Sequence, residues 1–198
     1  MPKTILLVIL TTTVACRSTG NSQELASLES DTCPENEGFG LLGSESRQKV
    51  TDRISDFKIL AGQCSEVARK NFSGLLQQQN YVCSCLKIGM EAFLFAEREK
   101  EALGHHSDKV ECLRHCHWQA QMTCRWSQEI ASDLADVREE DSRSAQDSER
   151  DQYHNRLGRS FMSQHDDLAR LKGLTCYGKA TAGSHYILAS SLCASYDS

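Results

Sequence analysis

The chain has 198 residues, of which 25% are charged, and a formal net charge of −5. That length suits one domain with a real core and is too short for two large ones. An acidic balance with no basic patch offers phosphates nothing to meet, so no nucleic-acid partner is expected.

Ten cysteines are far above ordinary usage. Such a count points either to disulfides in an oxidising compartment or to metal binding. The two prolines, Pro2 and Pro34, leave the rest of the chain open to helix. Leu, Ala, Gln, Glu, Arg and Ser are common while Val, Ile and Thr are sparse after residue 20, which favours an all-α fold.

Residues 1–15 read MPKTILLVILTTTVA. Lys3 supplies the positive start, Ile5 to Leu10 the apolar core and Ala15 the small end. This is an export signal, shorter than the about 20 apolar residues a spanning helix needs. The ending Val14-Ala15-Cys16 resembles the lipobox of bacterial lipoproteins, a resemblance confined to the first 16 residues. It implies cleavage before Cys16, lipidation of Cys16, and a cell-envelope protein tethered to a membrane. The outer membrane or surface is then favoured over the cytoplasm, and free secretion is the alternative. The polar run RSTGNSQ after Cys16 reads as a flexible tether. Residues 16–43, broken by Pro34, Gly38, Gly40 and Gly43, form a tether and arm fastened through Cys33.

A helical domain is expected over 44–175. Its first helix runs from Ser44 to Gln78, with Val50, Ile54, Phe57, Ala61, Cys64 and Ala68 stepping by fours and threes as in a packed bundle. The run QQQN at 77–80 is the expected turn. A second helix spans Tyr81 to Leu103, with Val82, Leu86, Met90, Phe93 and Leu94 on its apolar side, and Gly104, His105 and His106 form the next turn. The third opens at Ser107 and carries Val110, Leu113, His117, Ala120, Cys124, Ser127, Ala131 and Leu134 as far as Val137. Residues 138–151 contain Ala145 as their one apolar residue and read either as an exposed helical extension or as a linker. A fourth helix is expected over 152–172, ending at Gly173, followed by a tail, 176–198, packed on the bundle, with 185–192 a short helix or a strand. The expected fold is a disulfide-stapled bundle of three to four helices with irregular N- and C-terminal arms.

Antiparallel register about a turn near residue 105 sets Cys124 level with Cys83 and Cys85, and Cys64 level with Cys112 and Cys116. Same-level positions on neighbouring helices satisfy the reach of a disulfide. Cys64 is therefore expected to pair with Cys112 or Cys116, Cys124 with Cys83 or Cys85, and Cys176 with Cys193, with Cys33 taking a leftover. Each bridge is worth about 2–4 kcal/mol. With Cys16 lipidated nine cysteines remain, so at least one is unpaired.

The sequence holds no Gly-x-Ser-x-Gly elbow, phosphate loop, His-Glu-x-x-His or dinucleotide fingerprint. No catalytic residue and no cofactor is assigned. The expected role is binding or structural, non-enzymatic, at the membrane to which lipid holds the chain, with another envelope protein as a candidate partner. The alternative is a periplasmic thiol- or metal-handling protein. Cys112, Cys116 and Cys124 share one broad helical face with His117 nearby, a donor set suited to copper or zinc. Cys83 and Cys85 form a Cys-x-Cys pair of the kind redox chemistry uses. Against it, His117 lies on the apolar stripe and reads as a buried bundle residue.

Overall fold

The computed structural model describes residues 44–103, 107–140, 144–165, 168 and 171–194. The signal, Cys16, Cys33, His105 and His106 lie outside the described residues. Among those described there are seven α-helices: α1 (Ser44–Thr51), α2 (Ile54–Asn71), α3 (Leu75–Ala102), α4 (Ser107–Arg125), α5 (Gln128–Glu140), α6 (Ala145–His165) and α7 (Cys176–Ala189). A 3-10 turn, Leu192–Ala194, follows. The fold is all-α but is not the expected bundle of three to four helices.

The extra helices come from local breaks that the apolar stripes run straight across. The expected first helix is cut at Asp52 and Arg53, where Arg53 N–H donates to Val50 O at 3.0 Å and a new helix starts. It ends at Asn71 because Phe72 is extended, at φ −131° and ψ 130°. Gly74 then caps α3 in an extended conformation, so QQQN lies inside α3 instead of forming a turn. Glutamine is a good helix former, and the chain reverses at the Phe-Ser-Gly segment before it. The expected third helix breaks at Trp126 and Ser127. The Ser127 hydroxyl accepts from Ile130 N–H at 3.2 Å and caps α5. Ser144 caps α6 in the same way, accepting from Asp147 N–H at 3.1 Å. Thus α6 begins at Ala145 and ends at His165, not at 152 and 172. Beyond it Gly173 takes a positive φ of 78° before Thr175 caps α7.

The centre of the fold is α4, which packs against α3, α5, α6 and α7. Every residue from His115 through Met122 is buried. One side of α4, with Trp118 and Met122, joins the core of α2, α3 and α5, including Phe57, Leu86, Met90 and Leu134. The other side, with Cys112, Cys116 and Ala120, joins Phe161 and Met162 of α6 and Ala180 and Ile187 of α7. A helix enclosed on all sides needs apolar or satisfied polar residues all round. Beside its apolar stripe α4 carries buried His115, His117, Gln119 and Gln121; His115 and the Gln119 side-chain carbonyl are hydrogen-bonded, whereas the His117 ring is held by packing on Phe95 and Tyr177.

Three disulfides join described residues: Cys64–Cys85, Cys112–Cys193 and Cys124–Cys176, with Cα separations of 6.2, 5.7 and 5.6 Å. Each differs from the expected pairing. Cys64 bonds neither Cys112 nor Cys116, Cys124 bonds neither Cys83 nor Cys85, and Cys176 and Cys193 do not bond each other. Moving the first turn from residue 79 back to Gly74 explains the first, since Cys64 and Cys85 are nearly equidistant from Gly74 along α2 and α3. The other two follow from α7 and the 3-10 turn lying against α4. Cys83 is also disulfide-bonded. Cys116, expected among the disulfide cysteines, is a buried free thiol. Disulfides of this number mark an oxidising, extracytoplasmic compartment. Among the described residues no helix is long and apolar enough to cross a membrane.

Candidate functional site

Where α4, α5 and α6 meet, the fold buries a polar centre. His115 stands on α4, Glu139 in the last turn of α5, and Asp151 and Asn155 one turn apart on α6. Asn155 is fully buried, His115 3% exposed and Glu139 9% exposed. One potential ligand atom from each of His115, Glu139 and Asp151 lies within 4.8 Å of the other two.

The close approach of α6 to α4 depends on Gly158. A Cβ there would stand 2.3 Å from the Cys116 carbonyl oxygen, so no larger residue fits without moving a helix. At this crossing the polar groups pair across the interface. Cys116 Sγ donates to His154 O at 3.3 Å, and Arg159 Nη1 donates to Gln119 Oε1 at 2.9 Å. His115 Nδ1 lies 3.0 Å from Asn155 Oδ1.

Proton positions in this centre follow from the partners. Glu139 Oε1 accepts from Asn155 Nδ2 at 3.4 Å, which turns the Asn155 carbonyl toward His115. A carbonyl only accepts, so His115 Nδ1 carries the proton. His115 Nε2 stands 3.3 Å from Asp151 Oδ2 and 3.9 Å from Glu111 Oε2, with Arg114 Nη2 at 3.2 Å. Burial raises the Glu139 carboxyl, with the charge of Asp151 adding to it against the opposing charge of His115. Burial also acts to raise Asp151, but its hydrogen bond to His115 and the charges of His115, Arg114 and Arg150 outweigh that and hold it below the usual range. The two carboxyls are therefore pushed apart.

Beside this centre a cavity of about 60 Å³ opens between α2, α3, α4 and α5. Arg53, Arg114 and Arg138 line it with His115, Phe57 and Trp118. Burial, then the charge of Arg114, pulls the Arg138 guanidinium downward. The Trp118 indole N–H is buried and has no hydrogen-bond partner among the described residues. A second cavity of about 440 Å³ shares Arg53, Phe93 and Arg114 with the first. The two adjoin along these shared walls, the smaller being the inner chamber.

The residues singled out from the sequence lie elsewhere. Cys112 and Cys124 are in disulfides and have no thiolate to offer a metal. Cys116 is buried, and burial pushes its thiol well up, against the needs of a ligand or nucleophile. His117 is fully buried, stacked on Phe95 at 4.2 Å and edge-on to Tyr177 at 4.9 Å. Cys83 and Cys85 are both disulfide-bonded, Cys85 to Cys64. The set Cys112, Cys116, Cys124 and His117 is thus no metal site. The residues that do converge include Glu139 and Asp151, both inside the 138–151 segment read as an extension or linker. The signal that marks them is a polar row on α6, Asp151, Asn155 and Arg159, stepping by four beside the apolar Leu157 and Phe161.

In comparison with protein families, residues 72–181 match the domain of unknown function DUF6973, more than half of the chain. The chain belongs to the DUF6973 family. The matched segment runs from the end of α2 into α7 and contains His115, Glu139, Asp151 and Asn155. Arg53 and Phe57 of the inner chamber precede the DUF6973 segment. No curated protein and no solved structure matches the chain.

Proposed function

We propose that this DUF6973 chain is an exported, non-enzymatic binding protein, tethered to a bacterial envelope membrane by lipid on Cys16, that takes a small organic anion into its inner chamber. The observation that carries the reading is the chamber's donor set: three guanidiniums and the unpaired indole N–H of Trp118. Arg53 is paired with Asp56 at 2.8 Å and Arg114 with Glu111. Among the described residues Arg138 has the neutral Gln63 as its hydrogen-bond acceptor, at 3.3 Å. A half-buried guanidinium held beside a second one favours an anion between them. The apolar walls, Phe57, Leu60 and Phe93, suit a carbon body behind a carboxylate or phosphate head. The tether reading rests on the Val14-Ala15-Cys16 ending and agrees with the oxidising location that the disulfides mark.

Trp118 provides the test. In a Trp126→Phe background it is the one remaining tryptophan, and its emission is followed as phenyl phosphate is added. A saturable change that weakens at least about tenfold in Arg138→Gln, a loss of about 1.4 kcal/mol, supports the chamber. No saturable change, or an equal response in Arg138→Gln, removes it. The tether is read separately by intact mass of membrane-derived protein. A chain starting at Cys16 with two or three acyl groups supports it, and an unacylated mass removes it.

A further inference from the structure

We propose that His115, Glu139 and Asp151 form a binding site for a divalent cation of the zinc class, with Asn155 as the residue that orients the ligands. This site is separate from the anion reading and stands or falls without it.

The argument starts from the lone pairs. With Nδ1 donating to Asn155, Nε2 is the ring nitrogen left to face the carboxylates. The nearest carboxylate oxygen to it, Asp151 Oδ2, is 3.3 Å away and is an acceptor. That pair is satisfied either by a proton on Nε2, which makes the hydrogen bond to Asp151, or by a cation that both atoms bind. Zinc bonds to nitrogen and oxygen of about 2.0–2.1 Å, in tetrahedral geometry, separate two ligand atoms by about 3.3 Å. The third ligand, from Glu139, lies within 4.8 Å of the others.

Of the neighbouring cations one reaches a ligand atom: Arg114 Nη2, which also meets Glu111, stands 3.2 Å from His115 Nε2 and must yield to the ion. Arg114 bonds Glu111, Arg138 donates to Gln63, and Arg150 donates to Asp147. Arg150 Nε stays 3.7 Å from Asp151 Oδ1, and among the described residues neither atom has a hydrogen-bond partner although both are buried. The hydrogen bond that Glu139 accepts comes from the neutral Asn155 amide, at 3.4 Å. Two carboxylates and an imidazole are therefore gathered in a largely buried interface, and among the described residues no guanidinium is hydrogen-bonded to either carboxylate. Both ligand families suit zinc, and three protein ligands leave a fourth position open. Asn155 touches His115 and Glu139 at once, fixing the ring's tautomer and the carboxylate's place, the usual work of a residue behind a metal ligand. Asp151 and Glu111, with side chains 18% and 35% exposed, give the ion its way in from solvent.

The test uses the mature chain with its disulfides intact, stripped with chelator and titrated calorimetrically with Zn²⁺ alone. One ion per chain is expected, with Glu139→Gln and Asp151→Asn each weakening binding at least tenfold and Asn155→Ala weakening it 10- to 100-fold. Near-ultraviolet dichroism establishes that the isosteric Gln and Asn variants are folded. Co²⁺ in place of Zn²⁺ is expected to give visible ligand-field bands without a thiolate charge-transfer band, which separates this site from one using Cys116. The proposal is overturned if the wild-type chain takes up no Zn²⁺, if Glu139→Gln and Asp151→Asn bind as the wild type does, or if the Co²⁺ form carries a thiolate band.

Discussion

Asn155 Oδ1 accepts from His115 Nδ1 at 3.0 Å while Asn155 Nδ2 reaches Glu139 Oε1 at 3.4 Å. One fully buried amide on α6 thus ties α4 to α5. Replacing Asn155 with Leu leaves a buried imidazole donor and a buried carboxylate without partners. Such orphaned groups cost about 1–3 kcal/mol each. Urea unfolding is expected to show a loss in that range or above it. A change below about 0.5 kcal/mol contradicts the bridging role.

Gly158 and Gly62 give opposite expectations for the same substitution. A Cβ at Gly158 meets the Cys116 backbone at 2.3 Å, so Gly158→Ala must push α6 off α4 and is expected to cost about 1–3 kcal/mol or more. A Cβ at Gly62, exposed within α2, meets nothing within 4 Å. Gly62→Ala is expected to stabilise by about 0.5–1 kcal/mol. Melting temperatures of the two variants, moving in opposite directions, are the check.

His117 makes the fold sensitive to acid. Burial, reinforced by the charges of Arg98 and His185, brings its pKa down to about 3. Its folded value lies below the unfolded value near 6.5. The unfolded chain therefore takes up the proton first, and stability is full above pH 6.5 and falls as pH drops toward 3. The slope is about 1.4 kcal/mol per pH unit from this group, and His154, brought down to about 4, adds the same sign. In His117→Phe the decline between pH 6 and 4 is expected to shrink, as measured by unfolding at several pH values. An unchanged decline would show that His117 is not its source.

Much of this architecture is written in the sequence, and the reason for what is not can be traced to particular residues. The stripe from Val50 to Ala68 and that from Val110 to Leu134 do mark core faces, and Val50, Phe57, Cys64, Leu113 and Leu134 are all buried. Periodicity, however, carries no mark of Ser127, which sits on a stripe and acts as a cap. Nor does it mark the extended Phe72, where α2 stops. A first turn expected at residue 79, five residues past Gly74, puts Cys64 out of register with its partner Cys85. The polar centre was hidden for a different reason. Glu139 and Asp151 have the composition of a solvated face, and only the docking of α6 across Gly158 turns them inward against His115.

The disulfides divide the cysteines sharply by reactivity. Cys116 is 0% exposed and its thiol is pushed up by burial. It is expected to resist maleimide in the native state and to label once the chain is unfolded without reductant. Cys112–Cys193 closes 81 residues, so Cys193→Ser is expected to cost about 4 kcal/mol on the loop-entropy account. Rapid native labelling of Cys116, found by peptide mapping, would contradict its burial.

The measurement that bears most directly on the whole account is the side-chain imidazole ¹H–¹⁵N spectrum of the folded chain, recorded through a titration with phenyl phosphate and then with Zn²⁺. His115 lines the inner chamber and faces Asp151, whereas His117 is packed against Phe95 and Tyr177. The account predicts that the His115 resonances move with phenyl phosphate, that Zn²⁺ shifts its Nε2 while Nδ1 keeps its proton, and that His117 stays in place. A His115 that answers to neither addition would contradict the claim that this buried centre is where the protein works.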